Sequence, residues 1–246
     1  MSICIIGIDC ATEPKKRGVA RACFENGAYK VKHISTGLDD VQIAAMVAEA
    51  KELYGNVLIA LDAPLGWPSA LGKSLADHVA GQPLNYPAHH LFRRETDTFI
   101  KKTFGKQPLD VGADRIARTA HSALTLLSEI SEQLDCDIPL AWQKNFSGVA
   151  AIEVYPAATL LAYGWPASGY KKPDQHLVRR TIIDGLLSHL TFSTIEPLLV
   201  SADALDAALC VLSGKDFLEE TSYQPGDQGL AQKEGWIWVR RPSEIV

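Results

Sequence analysis

The sequence is short of the features that mark the most easily recognised protein classes. Its five cysteines, Cys4, Cys10, Cys23, Cys136 and Cys210, are odd in number and scattered. They include no CxxC pair and no Cys/His cluster at zinc spacing, which excludes a disulfide scaffold and a zinc knuckle. They read as reduced thiols in packing positions. No stretch approaches the roughly 18 continuous apolar residues of a membrane span, so no membrane partner is expected. The opening Met1-Ser2-Ile3-Cys4-Ile5-Ile6 carries no basic leader and runs into Asp9 rather than a small-residue cleavage site, which points to a cytoplasmic location. Internal repeats, low-complexity tracts and linkers are also missing, so residues 1–246 are expected to form a single domain. Neither sign of charge dominates: 24 basic side chains stand against 29 acidic ones, net −5. That balance argues against an indiscriminate nucleic-acid coat but allows a local basic groove beside an acidic pocket.

What is present is apolar material for one large core, 47% of the residues, arranged in recognisable periods. Ile3 to Asp9 is apolar on both pleat faces, as a central strand covered on both sides must be. Gly18 to Phe24 and Tyr29 to Ile34 are strand-like and flank Asn26-Gly27, a pair suited to the positive φ angles of a tight hairpin turn. Asp39 to Tyr54 reads as a crossover helix with Val41, Ala44, Ala45, Ala48 and Leu53 at helical spacing, an aspartate cap at its start and Gly55 at its end. Val57 to Leu61 returns as a buried strand ending in Asp62, and a right-handed crossover sets it parallel to the first.

Between Pro64 and Gly148 no strand pattern is evident. A proline-rich loop at 83–87 and helical periodicity, clearest from Asp114 to Leu134 with the stripe Ile116, Ala120, Leu124 and Leu127, mark a helical insertion at about 69–148. Val149 to Tyr155 reads as a further parallel strand, followed by helices over about 156–163, 174–190 and 201–213, and Trp236 to Val239 as a last edge strand. The order β-β-β-α-β-α-β-α resembles the ribonuclease H-like fold. The expected class is therefore α/β, a mixed five-stranded sheet of order 3-2-1-4-5 flanked by helices.

That topology would bring four acidic segments together: Ile8-Asp9, Leu61-Asp62, Ile152-Glu153-Val154, and the stretch from Ser201 to Ala208 that holds Asp203 and Asp206. Asp203 and Asp206 are three apart and share one helical face, while Leu205, Leu209 and Leu212 form an adjacent stripe that can pack on the sheet. Carboxylates at contact distance raise one another's pKa unless a cation intervenes. Mg²⁺ or Mn²⁺, which take oxygen ligands, are the natural cations, and two such ions about 4 Å apart can drive in-line phosphodiester displacement. A strand-end aspartate is also a common turn or cap residue, as Asp9, Asp62 and Asp203 could each be. Glu153 is different, because it interrupts an apolar strand where an unpaired carboxylate is costly.

The chain resembles domain-of-unknown-function family 429, described as predicted nucleases of the ribonuclease H fold. The resemblance runs through Ile6-Gly7-Ile8-Asp9, the segment Ile59 to Pro68, Arg94-Glu95-Thr96-Asp97, Glu153-Val154-Tyr155-Pro156, Asp203-Ala204-Leu205-Asp206-Ala207 and Glu234-Gly235-Trp236-Ile237-Trp238. The DxxDA helix is also similar to the last catalytic helix of bacterial Holliday-junction resolvases, some of which are homodimers, and a dimer is open here too. The resemblance implies metal-ligand or general-base roles for Asp9, Asp62, Glu153, Asp203 and Asp206. Asp9 would bridge two Mg²⁺ or Mn²⁺ ions, Asp62 and Glu153 would hold one each, and Asp203 with Asp206 would complete the site or orient water.

The expected function is metal-dependent hydrolysis of DNA or RNA phosphodiesters with a 3′-hydroxyl leaving group. Arg93, Arg94, Arg115, Arg118, Lys171, Lys172, Arg179 and Arg180 come in pairs near these segments, and Arg94 and Arg115 are the candidate phosphate contacts. Arg94 and Asp97 also have the i,i+3 spacing of an ion pair. None of the seven histidines has metal-like partner spacing. Trp67, Trp165, Trp236 and Trp238 suit packing better than base stacking. Two other functions fit the residues. Gly7-Ile8-Asp9-Cys10-Ala11-Thr12 resembles half of the phosphate-binding signature of ATP-dependent actin-like and sugar-kinase phosphotransferases, without the second phosphate loop. A noncatalytic module could also use the acids to bind metal or a partner.

Overall fold

The computed structural model describes residues 2–112, 114–172 and 174–242. Three strands open the chain, β1 (Ile3–Asp9), β2 (Gly18–Glu25) and β3 (Ala28–Thr36), and α1 (Asp40–Tyr54) crosses over to β4 (Asn56–Asp62). Four helices follow: α2 (Ser69–Leu75), α3 (Ala88–Phe92), α4 (Glu95–Phe104) and α5 (Asp114–Leu134). Then come β5 (Val149–Glu153), α6 (Pro156–Ala162), α7 (His176–Leu187), β6 (Thr191–Phe192), α8 (Glu196–Val200), α9 (Ala202–Leu218) and α10 (Gln228–Glu234).

The sheet is mixed and six-stranded, in the order β5-β4-β1-β2-β3-β6. The five-stranded expectation is corrected by β6, a two-residue strand that pairs parallel with β3 at Lys30 and Val31. Residues 191–192 carry too little periodicity to announce a strand; they are held by hydrogen bonds to β3, from Ser193 N to the Val31 carbonyl at 3.0 Å and from Thr191 Oγ1 to that of Tyr29 at 3.3 Å. The aromatic segment from Trp236 is not a strand either. It makes an isolated bridge from Ile237 to Glu153, and its tryptophans are buried, Trp236 and Trp238 at 3% and 2% exposure. Their burial is what the apolar pattern recorded.

Alternation along the central strands divides the core in two. Ile3 and Ile5 of β1, Leu58 and Ala60 of β4, and Ala150 and Ile152 of β5 face α6 to α9. Cys4, Ile6 and Ile8, with Val57, Ile59, Leu61, Val149 and Ala151, face α1 and α5. Both faces are covered, so the strands read as continuous apolar runs. The α1 start is a capping box: Asp39 Oδ1 accepts from Gln42 N at 2.8 Å and Gln42 Oε1 accepts from Asp39 N at 3.0 Å. Its buried face is Ile43, Ala44, Val47 and Ala50, whereas Val41 and Leu53 of the expected stripe are exposed. On α5, Leu124 is likewise at the surface, and Ala123, Leu126 and Ile130 join Ala120 and Leu127 inside.

The site depends most on α9, which lies directly on β1 and β2. A Cβ on Gly7 would stand 2.3 Å from the Ala207 carbonyl oxygen, and one on Gly18 would stand 2.0 Å from that of Asp203. Only glycine admits so close an approach at these two points. Ala204 through Leu212 are all buried there, so α9 is covered on every side and apolar but for Asp206 along that stretch, as suits a helix between a sheet and other helices. Among the described residues, no helix is long and apolar enough to cross a membrane.

Candidate functional site

Strand register places the first two acids. Asp9 and Asp62 end adjacent parallel strands and are direct neighbours across them. Asp9 continues the row Ile3, Ile5, Gly7, and Asp62 the row Leu58, Ala60, so both carboxylates emerge on the α9 face. Ser201 caps α9 by accepting from Ala204 N at 3.2 Å, and one turn later Asp206, fully buried, reaches the same point. Asp9, Asp62 and Asp206 each offer an oxygen within 4.8 Å of the others. Asp203, half-buried in the first turn of α9, lies close enough to repel Asp9 and Asp206 but outside that group.

Burial and mutual repulsion leave these groups poorly suited to ionise. Burial first, then Asp206 and Asp62, holds the Asp9 carboxyl well above the usual carboxylate range. Asp62 is pushed up to about 8 by burial and then by Asp206. Burial also raises Asp206, against the pull of Lys171 and Tyr170. Tyr170 donates its hydroxyl to Asp206 Oδ1 at 2.8 Å, and Lys171 Nζ stands 2.6 Å from Oδ2, an ion pair without hydrogen-bond alignment. One lysine and one hydroxyl therefore face three carboxyls. An all-oxygen donor set of this charge suits a hard divalent cation, and Asp9, Asp62 and Asp206 are the residues that would hold it.

Glu153 goes elsewhere. It pairs with Leu61 across β4 and β5, in the row of Ala151 and Val149, which belongs to the opposite face from Asp9 and Asp62. Its carboxylate is 3% exposed and accepts from Arg94 Nη2 at 2.7 Å, Arg94 Nη1 at 2.8 Å and Leu65 N at 2.9 Å. Arg94 also holds Asp97, at 2.9 Å through Nη2 and 3.1 Å through Nε, and the Glu234 carbonyl at 3.1 Å. Glu234 in turn accepts from Ser69 N and Glu95 N, at the first residues of α2 and α4. This buried network ties the loop after Asp62 to α2, α4, α10 and the end of β5.

The expected phosphate contacts divide accordingly. Arg94, 1% exposed, has its guanidinium turned into that network. Arg179 is 2% exposed and donates to the carbonyls of Leu199, Tyr170 and Lys172. Arg93 pairs with Asp110 and Arg180 with Asp184. Arg115 and Arg118 are exposed on α5.

Beside the carboxylates lies a half-open cavity of about 600 Å³, lined by Asp62, Lys171 and Tyr170, by the Glu153–Arg94 pair, by Tyr155 and Pro156 after β5, and by Lys106, Leu109 and Ile116 from the insertion. The residues that sequence reasoning did not connect to the acids are Tyr170, Lys171 and Arg179. Their signal was a basic pair, Lys171-Lys172, beside Gly169 in a loop, which says nothing about which acid it meets.

No curated protein and no solved structure matches the chain. The family model described as "Protein of unknown function (DUF429)" matches residues 7–229, and the chain belongs to that family.

Proposed function

We propose that the protein is a divalent-metal-dependent phosphodiesterase acting on nucleic acid, a nuclease of ribonuclease H-like type. The observation that carries the reading is the convergence of Asp9, Asp62 and Asp206 within 4.8 Å at the edge of an open cavity. The parallel β1, β4 and β5 next to an antiparallel β2 and β3 agree with the fold type, with β6 as an addition.

When bound, Mg²⁺ or Mn²⁺ supplies Lewis-acid polarisation of a phosphoryl oxygen and eases deprotonation of water. The chain does the rest. Asp62 faces the cavity and would hold the cation with Asp9 and Asp206, and the proton of the attacking water passes to solvent. As the water oxygen bonds to phosphorus, the bond to the 3′ oxygen breaks, and that oxygen takes a proton from solvent. Lys171 Nζ, at the cavity wall, offsets the charge of the phosphate. Tyr170 fixes the rotamer of Asp206. Asp203 stands one turn from Asp206 and orients water at the rim. Glu153 acts through Leu65 N, holding the loop that follows Asp62, and is a positioning residue.

Calorimetric titration with Mn²⁺, on the wild type and on Asp206→Asn, tests the reading. Saturable binding that weakens at least tenfold in the variant is expected, together with chelator-sensitive cleavage of an oligonucleotide. A wild type that binds no Mn²⁺ overturns it.

A further inference from the structure

The surroundings of the carboxylates bear on what kind of phosphodiester can reach them. A duplex is a stiff rod whose affinity comes from many cations tracking its backbone. The chain carries a net charge of −5, and two of the arginines that could line such a track are committed inside the protein. Arg94 and Arg179 are buried, whereas Arg93 and Arg180 stay at the surface in ion pairs with Asp110 and Asp184. What borders Asp62 is concave: a half-open space of about 600 Å³, in the range of small-molecule sites, with one wall from the insertion and the other from the loop at 167–172.

The two walls differ in chemistry. On the loop side, the buried Arg179 donates from one nitrogen, Nη1, to the carbonyl of Tyr170 at 2.7 Å and that of Lys172 at 2.8 Å. The backbone on either side of Lys171 is thereby clamped. Lys171 presents its ammonium to the carboxylates, and Lys172 and Lys106 complete a small group of cations around the cavity. The insertion side carries Lys106 and Thr119 beside an apolar patch of Pro108, Leu109 and Ile116, with Ile116 half-buried and Leu109 left 69% exposed. Such an apolar face beside a cationic one suits a ligand with a flat aromatic part and a phosphate, about one nucleotide in extent.

Resting on the nuclease reading, we infer that the substrate unit seated in this cavity is a single unpaired nucleotide, either within or at the end of a single strand or free. Its base lies on Leu109 and Ile116, and its phosphate lies between Lys171 and Asp62. A base-paired nucleotide cannot place its base on that wall without leaving the stack. The insertion is thus the element that selects the substrate, and Arg179 positions Lys171.

The test is anisotropy of a fluorescein-labelled oligothymidylate of eight residues with the wild-type protein in Ca²⁺, against the same strand in a duplex. The single strand is expected to bind at least tenfold more tightly. Three lysines imply a shallow salt dependence, a log–log slope of about −2. Leu109→Asn, at an exposed position, and Ile116→Asn are each expected to weaken binding about fivefold while Mn²⁺ affinity, measured by calorimetry, stays unchanged. Displacement by thymidine 5′-monophosphate at similar concentrations identifies the free nucleotide as the unit recognised, and failure to displace identifies the strand. Equal or tighter duplex binding, no effect of either wall variant, or Mn²⁺ binding without any oligonucleotide binding overturns the substrate inference and leaves the metal site standing. Absence of Mn²⁺ binding overturns both.

Discussion

Glu153 and Arg94 meet as a two-pronged ion pair, with contacts of 2.7 and 2.8 Å, and neither is more than 3% exposed. The geometry makes Glu153 a structural anion, and removing one partner of a buried pair strands the other charge. Arg94→Met is expected to cost about 3–5 kcal/mol in urea unfolding. Glu153→Gln should also destabilise but leave Mn²⁺ affinity within about twofold of wild type, well below the ~1.4 kcal/mol of a tenfold loss. A tenfold loss in that variant would restore Glu153 to the ligand set.

The fate of Glu153 illustrates how far the sequence was legible. The apolar runs of β1, β4 and β5 are visible because both faces of those strands are buried. The acid in β5 needs a positive partner, because an unpaired buried carboxylate is costly. A cation and an arginine 59 positions away satisfy that need equally well, and local pattern cannot choose between them. The row alternation does carry the answer once register is known, since Glu153 lies beside Leu61 rather than Asp62. The buried face of α1 differs from the expected stripe because its alanines populate several stripes, so Ile43 and Val47, not Val41 and Leu53, decide which side is inside. The burial of Arg179 is not legible in its basic pair, because its partners include backbone carbonyls, which leave no trace in the sequence.

The cluster carboxyls also predict how stability changes with pH. Asp62 has an ordinary value of 3.8 and is pushed up to about 8 in the fold, and Asp9 is raised in the same sense. The folded protein therefore binds more protons than the unfolded chain between those values. This contribution is fully present below about pH 4 and is lost as pH rises through about 8. In the absence of metal, Asp62→Asn should flatten that decline relative to wild type. Saturating Mn²⁺ should reverse it, because the cation binds the ionised form. Thermal unfolding from pH 5 to 9, with and without Mn²⁺, measures both slopes.

Contact between α9 and the sheet at Gly7 predicts a coupled loss. Gly7→Ala places a methyl 2.3 Å from the Ala207 carbonyl oxygen and 2.7 Å from Val211 N, both backbone atoms of a buried helix. The helix must move away, at a cost of about 1–3 kcal/mol or more. Asp206 moves with it. The variant should lose stability in urea and bind Mn²⁺ more weakly, whereas Gly27→Ala, at a turn with a positive φ of 82° and open space around it, should lose stability alone.

Lys171 is the cation already present among the carboxylates, and its replacement separates two effects that have opposite signs. Its ammonium stands 2.6 Å from Asp206 Oδ2, where a divalent ion would also have to bind. Asp206, Asp9 and Asp62 raise the lysine's pKa against the lowering effect of burial, so it stays charged throughout the working range of pH. An incoming cation is therefore repelled by Lys171 or must displace it. Removing one such charge at about 4 Å from a divalent ion is worth roughly 2 kcal/mol in a water-like medium, or about thirtyfold in affinity. Lys171→Met should accordingly bind Mn²⁺ about thirtyfold more tightly than wild type. The same variant loses the group that faces the phosphate, so its affinity for a single-stranded oligonucleotide should fall at least fivefold. A lysine that merely stabilised the loop would weaken both together, and calorimetry with Mn²⁺ beside anisotropy with the oligonucleotide distinguishes the two patterns.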